Sequence, residues 1–340
     1  MKLATYKDGS RNGQLVVVSR DLSLAHYATG TADHLQQVLD DWNFMSPQLQ
    51  DLSDTLNFGK ARHAFAFDPR QCMAPLPRAY QRVGSAAYTH TLSVLRQAGS
   101  SPVLAPELTE PLLYQGRSDE LLGARDDLVY ASEALGIDFE GEIAVVTGDI
   151  APGATPAQAL DGVRLVMLAN AVSLRSLIVP ELARGWGALQ GRPATAFSPV
   201  AVTLDELAFG ADNAWQQGRL HLTLQTTWNG RKVGMCEAGP EMTFHFGQLL
   251  AHLAKTRSVR AGSIVSSGAV SNQDPSRGYS CIAEKRALET LQDGQPTTEF
   301  MKYGDTLRLE MRGRDGLSVF GAIEQEVVPP AERITPRQFV

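Results

Sequence analysis

The sequence predicts an α+β protein rich in β-strands, in which a small N-terminal α+β domain precedes a larger β-rich domain. Three observations support this. A chain of 340 residues, 43% of them hydrophobic, is long for a single compact core. Two prolines interrupt regular structure between Cys72 and Arg78. Beyond that segment, short apolar runs alternate with turn residues. We therefore expect two domains, residues 1–75 and 76–340.

The N-terminal segment predicts a hairpin followed by two helices. The runs at residues 2–6 and 14–19 have strand character and flank a stretch rich in turn residues. Apolar residues at helical spacing over residues 35–42 predict the first helix. Ser46-Pro47 is a suitable N-cap and first-turn pair, so we expect the second helix to begin there and to run through Leu56.

The larger segment contains two predicted hairpins. In the first, residues 220–228 alternate apolar and polar side chains, and Asn229-Gly230 tolerates the positive φ that a type I′ turn requires, so residues 232–235 can return beside them. In the second, residues 307–311 precede a turn near Asp315-Gly316, and residues 317–323 form the expected return strand.

Two helices are predicted in the larger segment, at residues 91–97 and 244–255, where apolar residues keep helical spacing.

Charge and composition exclude several classes of partner. The net charge of -6 comes from 37 acidic and 31 basic residues, and no run of Lys or Arg is present to follow a phosphate backbone, so we expect no nucleic acid partner. No stretch has the roughly 18 consecutive apolar residues of a spanning helix, so we expect no membrane partner. Cys72, Cys236 and Cys281 are widely spaced and odd in number, which favours reduced, buried thiols in a cytoplasmic protein.

Glu140 and Glu142 are the first candidate site residues. They lie in a run, residues 137–146, that reads as a strand entering the core. Because side chains alternate along a strand, the two glutamates share one face. A hard cation such as Mg²⁺ or Ca²⁺ would relieve the repulsion between them. The alternative is a solvated edge strand that carries two exposed acids.

Six segments, in order along the chain, resemble the fumarylacetoacetate hydrolase family. The glutamate strand resembles the family's metal-binding Glu-x-Glu strand, and the other segments are Leu113–Arg117, Asn170–Arg175, Phe197–Val200, Ser267-Gly268 and Tyr303–Asp305. The resemblance covers the chain beyond Arg78, and the N-terminal segment is similar to the small domain of bacterial two-domain members.

The resemblance implies a fold, a reaction and an assembly. The fold would be a mixed β-sheet and β-roll domain. Family hydrolases cleave a carbon-carbon bond in a diketo acid, using a divalent metal held by two glutamates and two aspartates, a histidine supported by a glutamate, and a lysine. A metal would polarise the ketone while a positioned base transfers the proton. The resemblance also implies a small-molecule substrate and a homodimer.

This sequence departs from that machinery at the first metal aspartate and at the catalytic histidine. The aspartate falls on or beside Gly84, and the histidine falls on Thr91. His90 is one residue early, and on a helix one residue is a rotation of about 100°, so it would point away unless the preceding loop restores the phase. His90 is therefore either a substitute catalytic histidine or a surface or capping residue.

Further departures occur downstream. The second metal aspartate falls at Ala171, the family lysine at Arg192, and the Thr that follows Ser-Gly in the family is Ala269. Arginine keeps the charge of lysine but has a planar group with a different reach. Glu284 matches the glutamate that supports the family histidine.

Loss of two of four ligands should weaken Mg²⁺ binding severely, so we expect no metal or other cofactor; Mg²⁺ or Ca²⁺ would use Glu140 and Glu142 if the residual site were occupied. Without a metal, these glutamates must share a proton, find Arg or Lys partners, or face water. Catalytic candidates are Glu142, Glu140, Glu284 and His90, and substrate-binding candidates are Tyr114, Arg117, Arg175 and Arg192.

The leading hypothesis is a diverged enzyme that acts on a small 1,3-dicarbonyl or related acidic compound by metal-independent acid/base chemistry: isomerisation, cyclisation, decarboxylation or a modified C-C cleavage. The second is a functional Mg²⁺-dependent hydrolase of a diketo acid such as fumarylacetoacetate. The third is a non-catalytic relative that binds a ligand.

Overall fold

The computed structural model describes residues 1–100, 108–208 and 213–331. Within these ranges the α-helices are α1 (Leu35–Asp40), α2 (Trp42–Asn57), α3 (Thr89–Gln97), α4 (Pro156–Leu160), α5 (Arg175–Ala183), α6 (Leu204–Leu207), α7 (Phe246–Leu253) and α8 (Ile282–Asp293). Short 3-10 turns lie at Pro69–Gln71, Glu133–Leu135 and Pro275–Arg277.

The strands in the described ranges are β1 (Lys2–Tyr6), β2 (Gln14–Val18), β3 (Leu24–Tyr27), β4 (Phe65–Ala66), β5 (Arg82–Ser85), β6 (Leu113–Gly116), β7 (Leu121–Leu122), β8 (Leu128–Val129), β9 (Ile137–Asp138), β10 (Gly141–Thr147), β11 (Val163–Asn170), β12 (Ser173–Leu174), β13 (Thr195–Phe197), β14 (Ala201–Thr203), β15 (Trp215–Gln216), β16 (Arg219–Leu220), β17 (Thr223–Trp228), β18 (Arg231–Glu237), β19 (Ile264–Ser266), β20 (Thr306–Met311) and β21 (Ile323–Val328).

A large mixed sheet runs through both halves of the chain. Its order is β4-β3-β2-β1-β14-β11-β10-β19-β5-β6, and β13 and β7 extend it beside β11. The centre of this sheet is buried on both faces, which explains the apolar runs at residues 143–146 of β10 and 165–169 of β11. The sheet places β10, β19, β5 and β6 side by side, and these strands carry Glu142, Ser266, Arg82 and Tyr114.

A smaller sheet packs against the large one. Its order is β18-β17-β20-β21-β8, with β8 parallel to β21 and the other pairs antiparallel. Leu224 and Leu309 from this sheet share one buried cluster with Ile143 and Val145 from the large sheet. The two sheets therefore enclose a common apolar core.

The structure confirms the predicted β-rich α+β fold and several of its elements. β1 and β2 form the N-terminal hairpin. β17 and β18 form the hairpin at Asn229-Gly230, where both residues have positive φ, 50° and 73°, as a type I′ turn requires. α3 and α7 lie where helices were predicted.

Two predicted boundaries were wrong. α2 begins at Trp42, so Pro47 lies inside the helix rather than in its first turn. Proline fixes a helical φ, and near the start of a helix its missing N–H removes little hydrogen bonding. The return strand β21 begins at Ile323, because residues 313–322 form a connection with positive-φ glycines at 316 and 321.

α5 and α8 were not predicted, and both supply residues to the candidate site. Pro180 lies inside α5, which weakened the helical signal there. The three cysteines are buried and unpaired, as expected. Among the described residues, no helix is long and apolar enough to cross a membrane.

Candidate active site

Three acids project from the strand segment β9–β10. Asp138, Glu140 and Glu142 are all buried, and they are spaced by two residues, as side chains on one face of a strand are. The sequence prediction that Glu140 and Glu142 face the interior is therefore supported, and the alternative of a solvated edge strand is excluded. Buried carboxylates need charged or hydrogen-bonding partners, and the structure supplies arginines.

Glu140 is held by two arginines and a serine. Its Oε1 accepts hydrogen bonds from Arg175 Nη2 at 2.8 Å, from Arg192 Nη1 at 3.0 Å and from the hydroxyl of Ser173. Burial disfavours the charge on Glu140, but Arg192, Arg175 and Ser173 outweigh it and lower the pKa of this carboxyl below its usual value. Glu140 therefore stays ionised and is a weak base.

Glu142 is paired with Arg82, a fully buried residue of β5. Arg82 Nη2 lies 3.4 Å from Glu142 Oε2 and donates to Ser266 Oγ at 3.1 Å. Glu142 Oε1 has no hydrogen-bond partner among the described residues. Burial raises the pKa of Glu142 to about 7, an effect that Arg82 opposes and Glu140 reinforces. This carboxyl can therefore carry a proton near neutral pH.

Two glycines make room for Arg82 and for the neighbouring Tyr114. In the paired strands β5 and β6, Arg82 lies opposite Gly116, and Gly84 lies opposite Tyr114. A Cβ at position 84 would overlap the Tyr114 phenol ring, and a Cβ at position 116 would overlap the Arg82 side chain. The two side chains fill these spaces and meet, with Arg82 Nη1 donating to the Tyr114 hydroxyl at 3.1 Å.

Asp138 connects the three buried acids, Asp138, Glu140 and Glu142, to α8. Its two oxygens accept the backbone N–H groups of Ile282, at 2.6 Å, and of Ala283, at 3.0 Å. Arg175 Nε donates to the same carboxylate at 2.8 Å. Burial raises the pKa of Asp138 to about 6, while Arg175 opposes that rise. Asp138 thus caps α8 from a distant strand and fixes the position of Arg175.

Glu284, on the first turn of α8, contacts Thr91 and not His90. Thr91 Oγ1 donates to Glu284 Oε2 at 2.9 Å, and Ser271 Oγ donates to Oε1 at 2.7 Å. Burial raises the pKa of Glu284 to about 7, although both hydroxyl groups oppose the rise. His90 is half-buried; burial lowers its pKa, and the opposing charge is Glu241. The structure therefore places Thr91, rather than His90, beside Glu284.

A cavity of about 590 Å³ lies between α3, α5 and α8. Its polar wall includes Thr91, Tyr114, Glu140, Arg175 and Arg192. Arg82, Glu142 and Glu284 stand behind these residues and are not among the described residues that line the cavity. Arg192 stacks on the Tyr114 ring at 4.4 Å from its centroid, which fixes both side chains at the wall.

Arg117 lies outside this cavity. It binds Asp119 Oδ1 at 2.8 Å and Glu120 Oε2 at 3.3 Å, and it lines a second, wider cleft of about 1100 Å³ on the other side of Tyr114 and Arg192. Trp186, whose side chain is 94% exposed, lines the same cleft. The other three predicted substrate-binding residues line the first cavity, together with Glu140: they are Tyr114, Arg175 and Arg192.

The residues around Glu140 and Glu142 do not fit a divalent cation. By the resemblance, the two family aspartates fall on or beside Gly84 and at Ala171, where this chain has no acid, and the space beside Gly84 is filled by Tyr114. Three guanidinium groups, from Arg82, Arg175 and Arg192, already neutralise the buried carboxylates. No group of three or more His, Cys, Asp or Glu suited to a metal ion occurs in the described parts of the chain. A cation here would have two carboxylate ligands and three positive neighbours.

Sequence reasoning missed Arg82 and Ser173. The sequence carried one signal for Arg82. It lies in the segment where the family's first metal aspartate is expected but no acid occurs, and an arginine there can supply the positive charge that a metal would supply. Ser173 lies two residues after Ala171, on the short strand β12 that pairs with β9. Its contact with Glu140 depends on that strand pairing, so the local sequence pattern does not predict it.

Two family models match the chain. One described as "Fumarylacetoacetate (FAA) hydrolase C-terminal" matches residues 83–328, and one described as "Fumarylacetoacetase N-terminal domain 2" matches residues 1–78. The chain is also 23% identical over 205 residues to a fumarylacetoacetate hydrolase domain-containing protein 2 homolog of Dictyostelium discoideum. That match covers 59% of this chain and 60% of the relative.

Solved structures with the same fold include a hydrolase and an isomerase. Maleylpyruvate hydrolase from Sphingobium sp. SYK-6, in complex with manganese (II) ion and pyruvate, has a TM-score of 0.63 at 12% identity, over 97% of this chain and 99% of that one. The 2-hydroxyhepta-2,4-diene-1,7-dioate isomerase of Mycobacterium marinum has a TM-score of 0.56 at 14% identity, over 98% of this chain and 100% of that one.

Proposed function

The chain belongs to the fumarylacetoacetate hydrolase family, and we propose that it acts on a small 1,3-dicarbonyl or related acidic compound by acid and base chemistry that needs no divalent metal. The main support is the replacement of a metal-binding arrangement by arginines. Arg175 and Arg192 hold Glu140, and Arg82 holds Glu142. Family neighbours include hydrolases and isomerases named for acidic substrates, which is consistent with such a ligand.

The electrostatics of the cavity favour an anion. Arg175 and Arg192 line it, and Glu140 between them is ionised. When Glu142 carries a proton, the three arginines of the cluster face only two charged carboxylates, Glu140 and Asp138. An enolate or carboxylate at this wall would meet a net positive charge in a partly desolvated environment, where such charges interact strongly.

Thr91 and Glu284 are suited to proton transfer. The Thr91 hydroxyl faces the cavity and donates to Glu284, so its oxygen can accept a proton from the ligand while its own proton passes to Glu284. The ligand C–H or O–H bond breaks, an O–H bond forms on Thr91, and Glu284 becomes neutral. In an isomerisation the proton returns to another ligand atom and Glu284 regains its charge. Thr91 is then the catalytic residue, and Glu284 acts through it.

Activity measurements on metal-stripped protein test the proposal. We expect conversion of acidic dicarbonyl compounds, followed by NMR, to be unchanged by EDTA or by added Mg²⁺, with little hydrolysis of acylpyruvates. One tightly held Mg²⁺ or Mn²⁺ per chain together with hydrolysis of fumarylacetoacetate would overturn it. Ligand-induced thermal stabilisation without any turnover would instead favour a non-catalytic binding protein.

The pH dependence of the rate tests the role of Glu284. Because Glu284 must be ionised to accept a proton, kcat/KM should rise through about pH 7, where the pKa of Glu284 lies. Glu284→Gln should lose this rise along with most of the activity. Asp293→Asn, at the exposed end of the same helix, is the matched control and should keep the wild-type profile. An unchanged profile in Glu284→Gln would remove the proton-transfer role.

Assembly and location belong to the same proposal. We propose a homodimer, which family membership supports and which light scattering of the purified chain tests. A cytoplasmic location is supported by three buried thiols that are not paired in disulfides.

A further inference from the structure

The cavity has a wide apolar wall that the proposed proton transfer does not use. Side chains from α3, α5 and the start of β6 face it, and Phe300 closes one side; the wall includes Leu92, Leu113, Ile178, Val179, Leu182 and Phe300. Val179 is 46% exposed although it belongs to this wall. Exposed apolar surface inside a cavity is a feature of sites that bind a ligand with an apolar part.

The cations of the cavity differ in how they are paired. Arg175 and Arg192 both bind buried carboxylates of the cluster. Arg286, on α8, also lines the cavity. Its guanidinium stacks on Phe300 at 4.5 Å from the ring centroid and donates to the carbonyl of Thr298. Across the described ranges, no carboxylate is paired with it.

Arg286 is therefore positioned for an anion that comes from outside the chain. A guanidinium has five N–H donors in a planar fork, and one carbonyl and one ring face leave donors for a carboxylate. The ring of Phe300 holds the guanidinium in place, so little side-chain freedom is lost on binding. The apolar wall begins at the same ring.

We propose that the cavity selects organic acids with an apolar body, the carboxylate bound by Arg286 and the body packed against α5 and Phe300. This inference rests on the proposed function, because it names the class of acid that the site would take. A substrate with a phenyl or similarly large apolar group should bind about tenfold more tightly than one with a methyl group, since burial of that surface removes it from water. Loss of the carboxylate charge should also weaken binding about tenfold.

Three probes separate these contributions. Acetylpyruvate and benzoylpyruvate carry the same acidic head with a small or a large apolar group, and the methyl ester of benzoylpyruvate lacks the charge. Isothermal titration calorimetry of the full chain with each probe should rank benzoylpyruvate first. In Arg286→Gln the acid and its ester should bind with similar affinity. Lys285→Gln, the neighbouring residue on the same helix, is the control and should keep the preference for the acid, because Lys285 contacts Glu289 and does not line the cavity.

Each outcome has one meaning. Equal affinity for acetylpyruvate and benzoylpyruvate would overturn the role of the apolar wall while leaving the proposed function intact. Retention of the acid-over-ester preference in Arg286→Gln would overturn the role of Arg286. Failure of both acids to bind would overturn this inference, whereas the proposed function is tested separately by the conversion assay on metal-stripped protein. If Arg286→Gln does not fold, Arg286→Lys keeps the charge but not the fork and should lose part of the preference.

Discussion

At the scale of single residues, the ion pair of Arg82 and Glu142 determines how the site is built. Both side chains are almost fully enclosed, so each depends on the other for its charge. Removing one partner of a buried pair typically costs about 3–5 kcal/mol, because the remaining charge is left without compensation. A site with this internal pairing is rigid before any ligand arrives, and the glycines opposite the two large side chains are part of that rigidity.

Gly84 should tolerate no side chain while Tyr114 is present. We expect Gly84→Ala to lower the free energy of unfolding by about 1–3 kcal/mol, because the added methyl overlaps the phenol ring. In a Tyr114→Ala background the same change should cost much less. Urea denaturation of the four variants in this cycle gives the coupling energy, and additive effects would show that the ring does not limit position 84.

Glu284 should make stability depend on pH. Its pKa is raised from 4.5 to about 7, so the folded state favours the neutral carboxyl. This contribution is fully present below pH 4.5 and is lost as pH rises through about 7. The loss amounts to on the order of 3 kcal/mol, and Glu284→Gln should not show it.

Denaturation curves at several pH values measure this difference. The free energy of unfolding of Glu284→Gln, relative to wild type, should increase as pH rises from 4.5 to 7. Asp293→Asn, whose side chain is exposed, should run parallel to wild type. A constant difference between Glu284→Gln and wild type across this range contradicts the raised pKa.

Residue patterns located much of the candidate site but not its internal contacts. The period of two along β10 was enough to place Glu140 and Glu142 on one buried face. The resemblance also identified Thr91 as the residue at the histidine position, and the structure places it beside Glu284. The partner of Glu142 could not be derived, because Arg82 reaches it through the pairing of β5 with β19, which is parallel and distant in sequence. Arg117 follows Tyr114 closely in sequence, yet the strand directs it into the other cleft.

At the scale of elements, short-range signals predicted two hairpins well, but they misplaced the return strand of the third and predicted helices unevenly. Asn229-Gly230 specifies its turn by local chemistry alone, since both residues accept positive φ. α8 has no side-chain cap of its own at Cys281, and its cap comes from Asp138, far away in sequence. A helix whose start is fixed by tertiary contact leaves no start signal in its own segment, which explains why it was not predicted.

The Asp138 cap should therefore control the first turn of α8. We expect Asp138→Asn to lower the free energy of unfolding by about 2–4 kcal/mol, since one acceptor of a backbone N–H is lost and Arg175 loses a charged partner. Backbone amides of the first α8 turn should exchange faster with deuterium.

The matched control for this change is Asp274→Asn, which affects a cap on an exposed 3-10 turn. Its cost should stay below about 1 kcal/mol, because the amide oxygen of Asn can still accept the Ser276 N–H at this exposed site. If α8 exchange is the same in Asp138→Asn and in wild type, the cap does not stabilise the helix start.

At the scale of the whole molecule, the N-terminal segment and the rest of the chain share one sheet and one core. β1 pairs with β14 through Lys2 opposite Val202 and Leu3 opposite Ala201. Leu3 and Val17 belong to the same buried cluster as Val146, Leu165 and Met167 of β10 and β11. The proposed boundary near residue 76 therefore separates segments of sequence that are joined by hydrogen bonds and apolar contacts.

We expect the full chain to unfold in a single cooperative transition, with coincident loss of secondary and tertiary structure. A chain that starts at residue 76 should be insoluble or aggregated, because the edge of β14 and the apolar face of β10 and β11 would be exposed. Calorimetry of the full chain and size-exclusion chromatography of the shortened one test this. Two separate transitions, or a stable monomeric fragment, would indicate independent domains.

Trp186 is an intrinsic fluorescent probe. It stands between Gly185 and Gly187, which both have positive φ, and its indole is almost entirely in water, whereas Trp42, Trp215 and Trp228 are partly buried. Gly187 lines both the cavity and the second cleft. Red-edge emission from the unmodified chain consequently comes mainly from one indole in the second cleft, so the occupancy of that cleft can be followed by fluorescence without attaching a dye.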